Sequence, residues 1–191
     1  MGAGEQEKTA MKTLITYGSR YGSAEHYARV FAKLTGFSVL PYRKAKSLSD
    51  YDRVIHFGAL YAGGVMGLKH IIPKLSAKAD LIIITVGLAD TENPQNLRHI
   101  KASIQAKIPN EVLCRSRLFH LRGAIDYKRL NLRHRIMMSL LYTKAKNIPE
   151  KDKNAETRAM LETHGKQVSF IDDAALNAIK DTLQERKSHE S

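Results

Sequence analysis

Residues 12–25 read KTLITYGSRYGSAE: a short apolar run, a turn containing glycine and serine, and the start of a helical pattern. The run Lys12–Tyr17 has the length of a strand and no clean alternation, which is typical of a strand covered on both faces. Beyond the turn, Ala24, Tyr27 and Phe31 keep the three- and four-residue spacing of one helix face. The segment therefore predicts a strand, a loop and a helix in succession.

The same alternation continues along the chain. Four further strands are predicted at Phe37–Tyr42, Arg53–Gly58, Asp80–Val86 and Arg117–Arg122. Two helical stripes lie between them: Leu68, Ile71, Ile72 and Leu75, then Leu97, Ile100, Ile104 and Ile108. Pro73 falls inside the first of these stripes, so we expect a short or broken helix there. Strands that alternate with helices predict an α/β fold, a doubly wound sandwich around a five-stranded parallel sheet.

After the fifth strand the rhythm is interrupted. About forty residues separate Gly123 from the apolar run Gln167–Ile171, whereas most loops after a strand have about 2–6 residues. We interpret residues 124–165 as a helical insertion, with a basic amphipathic helix at Lys128–Asn147 and a second helix at Ala155–His164 that ends at Gly165. The pattern then predicts a final helix that is capped by Asp172 or Asp173 and buries four residues, Ala175, Ala178, Ile179 and Leu183.

Length and composition favour one domain. The chain has 191 residues, and we place a single domain at 12–187 after a disordered lead-in at 1–11. The single cysteine, Cys114, has no partner for an internal disulfide, and the first residues lack the apolar stretch of a signal peptide. The longest apolar run is far shorter than the ~20 residues of a spanning helix. These features predict a cytoplasmic location.

The first loop has the features of an anion site. In doubly wound sheets, ligands bind outside the carboxyl ends of the strands, near the first strand. There the free N–H groups and the positive end of the first helix point outward together. Ser19 and Ser23 add hydroxyl groups, Arg20 adds a charge, and Gly22 permits close backbone approach. From this loop alone, a phosphate site and a plain turn both remain possible.

Two common nucleotide motifs are missing from this loop. It lacks the Gly-Lys-Ser/Thr ending of a P-loop and the three spaced glycines of a dinucleotide-binding turn. ATP and NAD are therefore disfavoured as ligands.

The loop resembles the phosphate loop of the flavodoxin family. Ser19, Gly22, Ser23 and Glu25 follow that family's pattern, whereas Tyr21 and Ala24 stand where flavodoxins often have threonine. Two more segments match in position, Gly58–Gly64 after the third strand and Val86–Asp90 after the fourth. The resemblance implies a flavodoxin-like fold and FMN as the cofactor. It assigns FMN binding to Ser19, Arg20, Tyr21, Gly22, Ser23, Ala24, Tyr61, Ala62, Gly63, Gly87 and Leu88.

Tyr61 is our prediction for the residue that stacks on the flavin ring, because the chain has no tryptophan for that role. The alternative is an ordinary tyrosine that packs at the mouth of the sheet. We assign no catalytic acid or base and no metal ligand. His120 and His134 are interpreted as structural, since no second ligand stands at metal spacing.

Within the flavodoxin superfamily, the chain is similar to the menaquinone-dependent protoporphyrinogen dehydrogenase group. The segment Leu121–Tyr127 leads into the insertion as in that group, Ile136–Met138 follows within the basic run, and Lys166–Val168 resumes the fold. This resemblance implies an FMN-dependent dehydrogenase that passes electrons from an anionic substrate to a quinone. Two other hypotheses remain: an electron-transfer flavoprotein that docks a protein partner, and a domain that has lost FMN and serves in interactions.

The net charge of +12 favours anionic partners. The segment Lys128–Lys146 concentrates cations and contains no acid, so it could lie on an anionic membrane surface at the inner face and meet a quinone there. Alternatively, its apolar residues Leu130, Ile136, Met137, Leu140 and Leu141 pack against the chain's own sheet. Nucleic acid is not expected as a partner, because no known reader motif accompanies the charge.

Overall fold

The computed structural model describes residues 11–61 and 64–184, with Gln184 described in its backbone only. Apart from Met11, the predicted lead-in at 1–11 lies outside the described residues, as do the last residues of the predicted domain.

Five parallel strands form the central sheet, and all five predicted strands are confirmed. Along the sheet they run β2 (Ser38–Pro41), β1 (Thr13–Gly18), β3 (Arg53–Tyr61), β5 (Asp80–Gly87) and β6 (Ser116–Arg122). A sixth strand, β4 (Gly64–Val65), turns back antiparallel to β3 and was not predicted. It forms because β3 continues beyond Gly58 to Tyr61 and leaves its last residues free to pair.

Helices cover the sheet on both faces. They are α1 (Ser23–Thr35), α2 (Leu68–Ile71), α3 (Pro94–Gln105), α4 (Asn110–Cys114), α5 (Leu132–Lys146), α6 (Ala155–Thr163) and α7 (Ala175–Gln184). Adjacent strand residues point to opposite faces. Ile15 packs with α1 and α7 in one core, whereas its neighbour Leu14 packs with α2, α3 and α6 in the other. The α/β class with a mostly parallel sheet is thereby confirmed.

Local differences from the predicted helices have local causes. Helix α2 ends early, at Ile71, because Pro73 has no N–H to continue the helical hydrogen bonds. A 3₁₀ turn at Ile72–Lys74 follows it. Helix α3 ends at Gln105, before the last residue of the predicted stripe Leu97–Ile108. Ile108 is still buried, in the loop that precedes α4. The short helix α4 was not predicted. In α7 the prediction for Ala178 was wrong: Ala178 is exposed and Leu176 is buried.

The segment after β6 begins and ends with a short β-strand. Two short strands, β7 (Ala124–Asp126) and β8 (Gln167–Ser169), pair antiparallel where the segment leaves and rejoins the sheet. Between them α5 and α6 pack on each other. A small core forms beneath them from Ile125, Tyr127, Leu130 and Met138.

The basic helix begins later than predicted. A 3₁₀ turn occupies Tyr127–Arg129, and α5 starts after Asn131. The Asn131 side chain accepts a hydrogen bond from the N–H of His134 at 2.9 Å, which is the preferred cap of a helix start. The helix therefore runs from Leu132 to Lys146 rather than from Lys128.

The apolar residues of α5 divide between two faces. Met138, and Leu130 just before the helix, are buried, and Met137 packs with them in the small core of the insertion rather than against the central sheet. The predicted alternative of packing against the sheet is wrong for Ile136, Leu140 and Leu141, which are 53%, 68% and 42% exposed. Together with Leu132, 71% exposed, Ile136 and Leu140 form a stripe at four-residue spacing on the outer face of α5, which we call the outer stripe.

No helix within the described residues is long and apolar enough to cross a membrane.

Candidate functional site

The carboxyl ends of the parallel strands meet at one edge of the sheet. Gly18 of β1 pairs with Gly58 of β3, and Gly87 of β5 pairs with Arg122 of β6. The N–H of Gly123, just after β6, donates to the carbonyl of Gly87 at 2.7 Å and so holds the ends of β5 and β6 together. The loops that follow these strands are therefore neighbours, as ligand sites in doubly wound sheets require.

These loops form the floor of a cavity of about 490 Å³, a size typical of small-molecule sites. The predicted loops at Ser19–Ala24, Leu60–Tyr61 and Val86–Leu88 all contribute to its lining. The roof comes from the insertion, through Met137, Met138 and Leu141 of α5 and the first turns of α6. The flavodoxin-like floor and the insertion thus enclose one space.

The start of α1 has the geometry of an anion site. Gly22 precedes the helix with φ of 96°, and no side chain caps the first turn. The first intrahelical bond runs from the N–H of His26 to the carbonyl of Gly22, so the N–H groups of Ser23 to Glu25 have no helical partner. Ser19 stays close by, because its hydroxyl accepts from the N–H of Gly22 at 3.1 Å. A phosphate would satisfy these donors.

The acid in this first turn is already neutralised by neighbours. Glu25 accepts hydrogen bonds from Arg29 at 2.8 Å and from the Tyr17 hydroxyl at 2.9 Å. The hydrogen bond from Arg29 is the main reason that the pKa of Glu25 lies below its ordinary value. Its charge therefore opposes an incoming phosphate less than a free carboxylate would.

The hydroxyl of Ser23 is engaged away from the predicted phosphate position. It accepts from the N–H of Ala124 at 2.9 Å and lies 3.3 Å from the carbonyl of the same residue. Ser23 therefore ties α1 to the start of the insertion. Only its backbone N–H remains for an anion.

Arg20 and Tyr61 meet the insertion at the mouth of the cavity. The Arg20 guanidinium donates to Nε2 of His134 on α5 and lies 5.3 Å from the centre of the Tyr61 ring. The Tyr61 hydroxyl donates to the sulfur of Met137 at 3.2 Å. Tyr61 thus lies in the cavity wall, and both predicted residues face the same space.

Tyr21 and Ala24 hold the loop in place instead of offering hydroxyls. Tyr21 packs against the small core of the insertion. Its ring makes an edge-to-face contact with the ring of His134, and the two ring centroids are 6.1 Å apart. Burial raises the pKa of the Tyr21 hydroxyl. Ala24 is buried in the core between α1 and the sheet, though it also reaches the cavity.

The loop after β5 lies against the strand-end residue Leu60. A Cβ at Gly87 would come within 2.9 Å of the Leu60 Cδ1 methyl, so that side chain would have to shift to admit one. The carbonyl of Leu88 accepts from Arg122 at 3.3 Å, which fixes this loop beside β6. Of the predicted flavin-binding residues, Ala62 and Gly63 lie outside the described residues.

Buried histidines brace the strand ends beneath the cavity. His56 Nε2 donates to the carbonyl of Met66 at 2.8 Å, and Nδ1 accepts from the Thr16 hydroxyl at 2.9 Å. Burial lowers the pKa of His56 to about 4, so this ring is neutral at physiological pH. His120 lies beside the Thr85 hydroxyl, and burial likewise lowers its pKa to about 4. Both histidines therefore stabilise the packing of neighbouring strands.

The roof residue Glu156 was missed at the sequence level. It lines the cavity from the first turn of α6, where a glutamate is ordinary because acids favour helix starts. Burial is the main influence on this carboxyl and raises its pKa, while Lys107 opposes the shift. Only the folding of α6 over the sheet places it there. Among residues 11–61 and 64–184, no His, Cys, Asp and Glu side chains gather into a metal site.

The residues present fit a flavin phosphate ester. Uncapped N–H groups and Arg20 suit the phosphate, whereas the apolar walls and the half-buried Tyr61 suit a flat ring system.

Comparison with solved structures found matches of low sequence identity. A candidate flavoprotein from Bacteroides eggerthii DSM 20697 matches with 11% identity and a TM-score of 0.38, covering 68% of this chain and 97% of its own. Two mutants of a flavodoxin from Pseudomonas aeruginosa, in which one cysteine is replaced by alanine or by serine, match with 19% and 18% identity and TM-scores of 0.35 and 0.38. Each covers 70% of this chain and 95% of its own. No curated protein matches.

A family model provides the assignment. The model described as a flavodoxin domain matches residues 14–152, from β1 through most of the insertion. This range contains the phosphate loop, both predicted flavin loops and the strands that carry them. The chain belongs to the flavodoxin-domain family.

Proposed function

We propose that this protein binds FMN, with the phosphate at the start of α1 and the ring system between the floor loops and the insertion. One observation carries the proposal: the uncapped helix start and the loops after β3 and β5 open into the same cavity. A flavodoxin domain implies a flavin, and a phosphate site at the helix start selects FMN over riboflavin.

A charge deletion with a matched control tests this placement. Arg20→Ala removes a cation from the cavity lining, whereas Lys33→Ala removes an exposed cation from the last turn of α1. Loss of a charge-assisted hydrogen bond costs about 1.5–3 kcal/mol, so we expect FMN affinity to fall about tenfold or more only in Arg20→Ala. Riboflavin affinity should be equal in both variants. If FMN binds Arg20→Ala as tightly as Lys33→Ala, the phosphate lies elsewhere.

We further propose that the protein is an oxidoreductase, a dehydrogenase like the menaquinone-dependent protoporphyrinogen group, that moves electrons from an anionic substrate to a quinone. The roof supports this reading, because α5 and α6 enclose the space above the floor loops and so provide walls for a small molecule. When bound, FMN supplies the two-electron chemistry. The protein supplies binding and a cationic surrounding that attracts the carboxylates of the substrate.

A second candidate is an electron carrier that docks an acidic protein through the cations of the insertion. Anaerobic mixing of the FMN-loaded protein with a porphyrinogen separates the two functions. A dehydrogenase should bleach its flavin absorbance with saturating dependence on the porphyrinogen, and added menadione should restore the colour. A flavin that stays oxidised with porphyrinogen, yet is reduced by a protein donor, would support the carrier.

The outer stripe supports a proposed anionic membrane surface as the place where the protein meets its quinone. Its three exposed side chains stand on a helix without acidic residues, among Arg133, Arg135, Lys144 and Lys146. An interfacial helix combines apolar residues with cations in this way, and each cation near anionic lipid adds about 1 kcal/mol.

Vesicle sedimentation tests this surface. Ile136→Ser with Leu140→Ser should abolish binding to vesicles rich in phosphatidylglycerol, while Leu34→Ser, an exposed site on α1, should not change it. Neutral phosphatidylcholine vesicles should bind weakly. Equal sedimentation of the double variant and the Leu34→Ser protein would reject the membrane surface and favour the protein partner.

A further inference from the structure

Glu156 is an isolated acid in the roof of the cavity. Among the described lining residues it is the one carboxyl, and Arg20 is the one guanidinium or ammonium group. The structure shows no hydrogen bond to the Glu156 carboxyl from the residues it describes, although nearby Glu150 pairs with both Lys153 and Arg158. The rest of the roof lining is uncharged: methionine, leucine and alanine side chains with Asn154 and Thr157.

This placement is costly for a purely structural acid. A helix start favours a charged glutamate, yet the half-buried Glu156 has a pKa above its ordinary value because burial disfavours the carboxylate. A carboxyl whose charged form is already disfavoured by burial responds to a new charge in the same cavity.

Reduction of a bound flavin would create such a charge. Two electrons and one proton convert oxidised FMN into its anionic reduced form, which places one negative charge on the ring. We propose that Glu156 takes up a second proton when the flavin is reduced and releases it when the electrons leave for the acceptor. This role rests on the proposed FMN site.

Electrons, protons and charge all balance in this step. The dehydrogenated substrate supplies both electrons, one proton joins the flavin ring, and one proton from solvent or substrate joins the Glu156 carboxylate. Reoxidation by a quinone returns both electrons and both protons to form the hydroquinone. The cavity therefore gains no net charge in either direction.

Other groups near Glu156 do not supply the same proton. Arg20 is a permanent cation, and burial holds the pKa of the Tyr21 phenol above its ordinary value. Lys107 faces the carboxyl as a cation. His134 contacts Arg20 and is retained in every variant below.

The pH dependence of the midpoint potential measures this proton directly. By linkage, the slope of potential against pH reports the protons taken up with the electrons. Between about pH 5 and pH 9, we expect the FMN-loaded protein to show a region of two protons per two electrons. Glu156→Gln should narrow that region relative to the unaltered protein, because only the flavin ring is then left to take up a second proton, at the acidic end of the range. Glu162→Gln, an exposed site on the same helix, should behave as the unaltered protein.

FMN affinity is measured first for each protein, which separates the two proposals. If the unaltered protein binds no FMN, both proposals fail. If FMN binds and the two-proton region of Glu156→Gln covers the same pH range as that of the unaltered protein, only the role of Glu156 is overturned. Glu156→Asp keeps a carboxyl and should keep the two-proton region with a shifted pH range; its loss in this variant would equally contradict proton uptake at this position.

Discussion

Gly22 controls the backbone at the start of α1. Its φ of 96° lies in the left-handed region, and a Cβ there would meet no atom within 4 Å. Glycine is therefore favoured here by its backbone conformation rather than by lack of space. This conformation lets the chain turn into α1 with the free N–H groups of the first turn pointing outward.

Substitution of Gly22 tests this conformational role. Gly22→Ala should lower stability by about 1–2 kcal/mol, which corresponds to a fall in Tm of about 2–8 °C in differential scanning calorimetry. Gly22→Asn should lose less, because asparagine tolerates positive φ better than alanine. Equal losses in the two variants would show that this backbone conformation is not required.

The buried His56 predicts a pH effect on stability. Burial depresses its pKa from 6.5 to about 4, so the unfolded chain binds more protons between these values. The stabilising contribution is fully present above pH 6.5 and is lost as the pH falls toward 4, by about 3 kcal/mol in total. His120 adds to the same slope.

Urea unfolding between about pH 7 and pH 5 checks this effect, above the range where most carboxylates are protonated. His56→Gln should be less stable at pH 7 and should show a slope of unfolding free energy against pH that is shallower by about one proton. An unchanged slope would mean that His56 is protonated in the folded state.

The sequence predicted individual ligand-site residues only where neighbours in the chain determine them. Ser19, Gly22 and the start of α1 follow from a local strand, turn and helix. The contact of the Ser23 hydroxyl was not predicted because its partner, Ala124, lies 101 residues away. Glu156 was missed for the same reason, since nothing local indicates which face of α6 covers the cavity.

At the scale of elements, the strands were predicted best. Each contains a short apolar run, such as Leu81–Ile84 in β5, and both faces of the sheet are covered. The short β4 and α4 escaped prediction because two to five residues carry too little periodicity. The two faces of α5 could not be told apart either, because apolar residues stand on both.

The two faces of α5 lead to a paired prediction. Met138 is 8% exposed in the small core of the insertion, so Met138→Ala should destabilise the insertion by about 2–4 kcal/mol. Ile136→Ala, on the outer stripe, should change stability by less than about 0.5 kcal/mol. Hydrogen exchange of the α5 amides measures both. Equal protection in the two variants would contradict the orientation of α5.

At the scale of the whole molecule, charge should influence the flavin. The net charge of +12 favours the anionic reduced form of a bound FMN, because nearby cations stabilise a negative group. We expect a two-electron midpoint potential well above that of electron-carrier flavodoxins, and a decrease in this potential as salt screens the field. Spectroelectrochemical titration at low and high salt measures it. A strongly reducing, ferredoxin-like value would contradict this expectation.

The enclosure of the cavity also belongs to the whole molecule. The floor comes from the parallel sheet and the roof from a segment inserted after its last strand, and Arg20, Tyr61 and Ser23 connect the two. The sequence indicated the insertion through its length and charge, but its position over the loops depends on these long-range contacts.

Titration of the purified protein with FMN tests the central claim most directly. We predict one FMN per chain, a yellow protein with a shifted flavin absorbance band, and tighter binding of FMN than of riboflavin. A colourless protein that leaves the absorbance and fluorescence of added FMN unchanged would contradict the account.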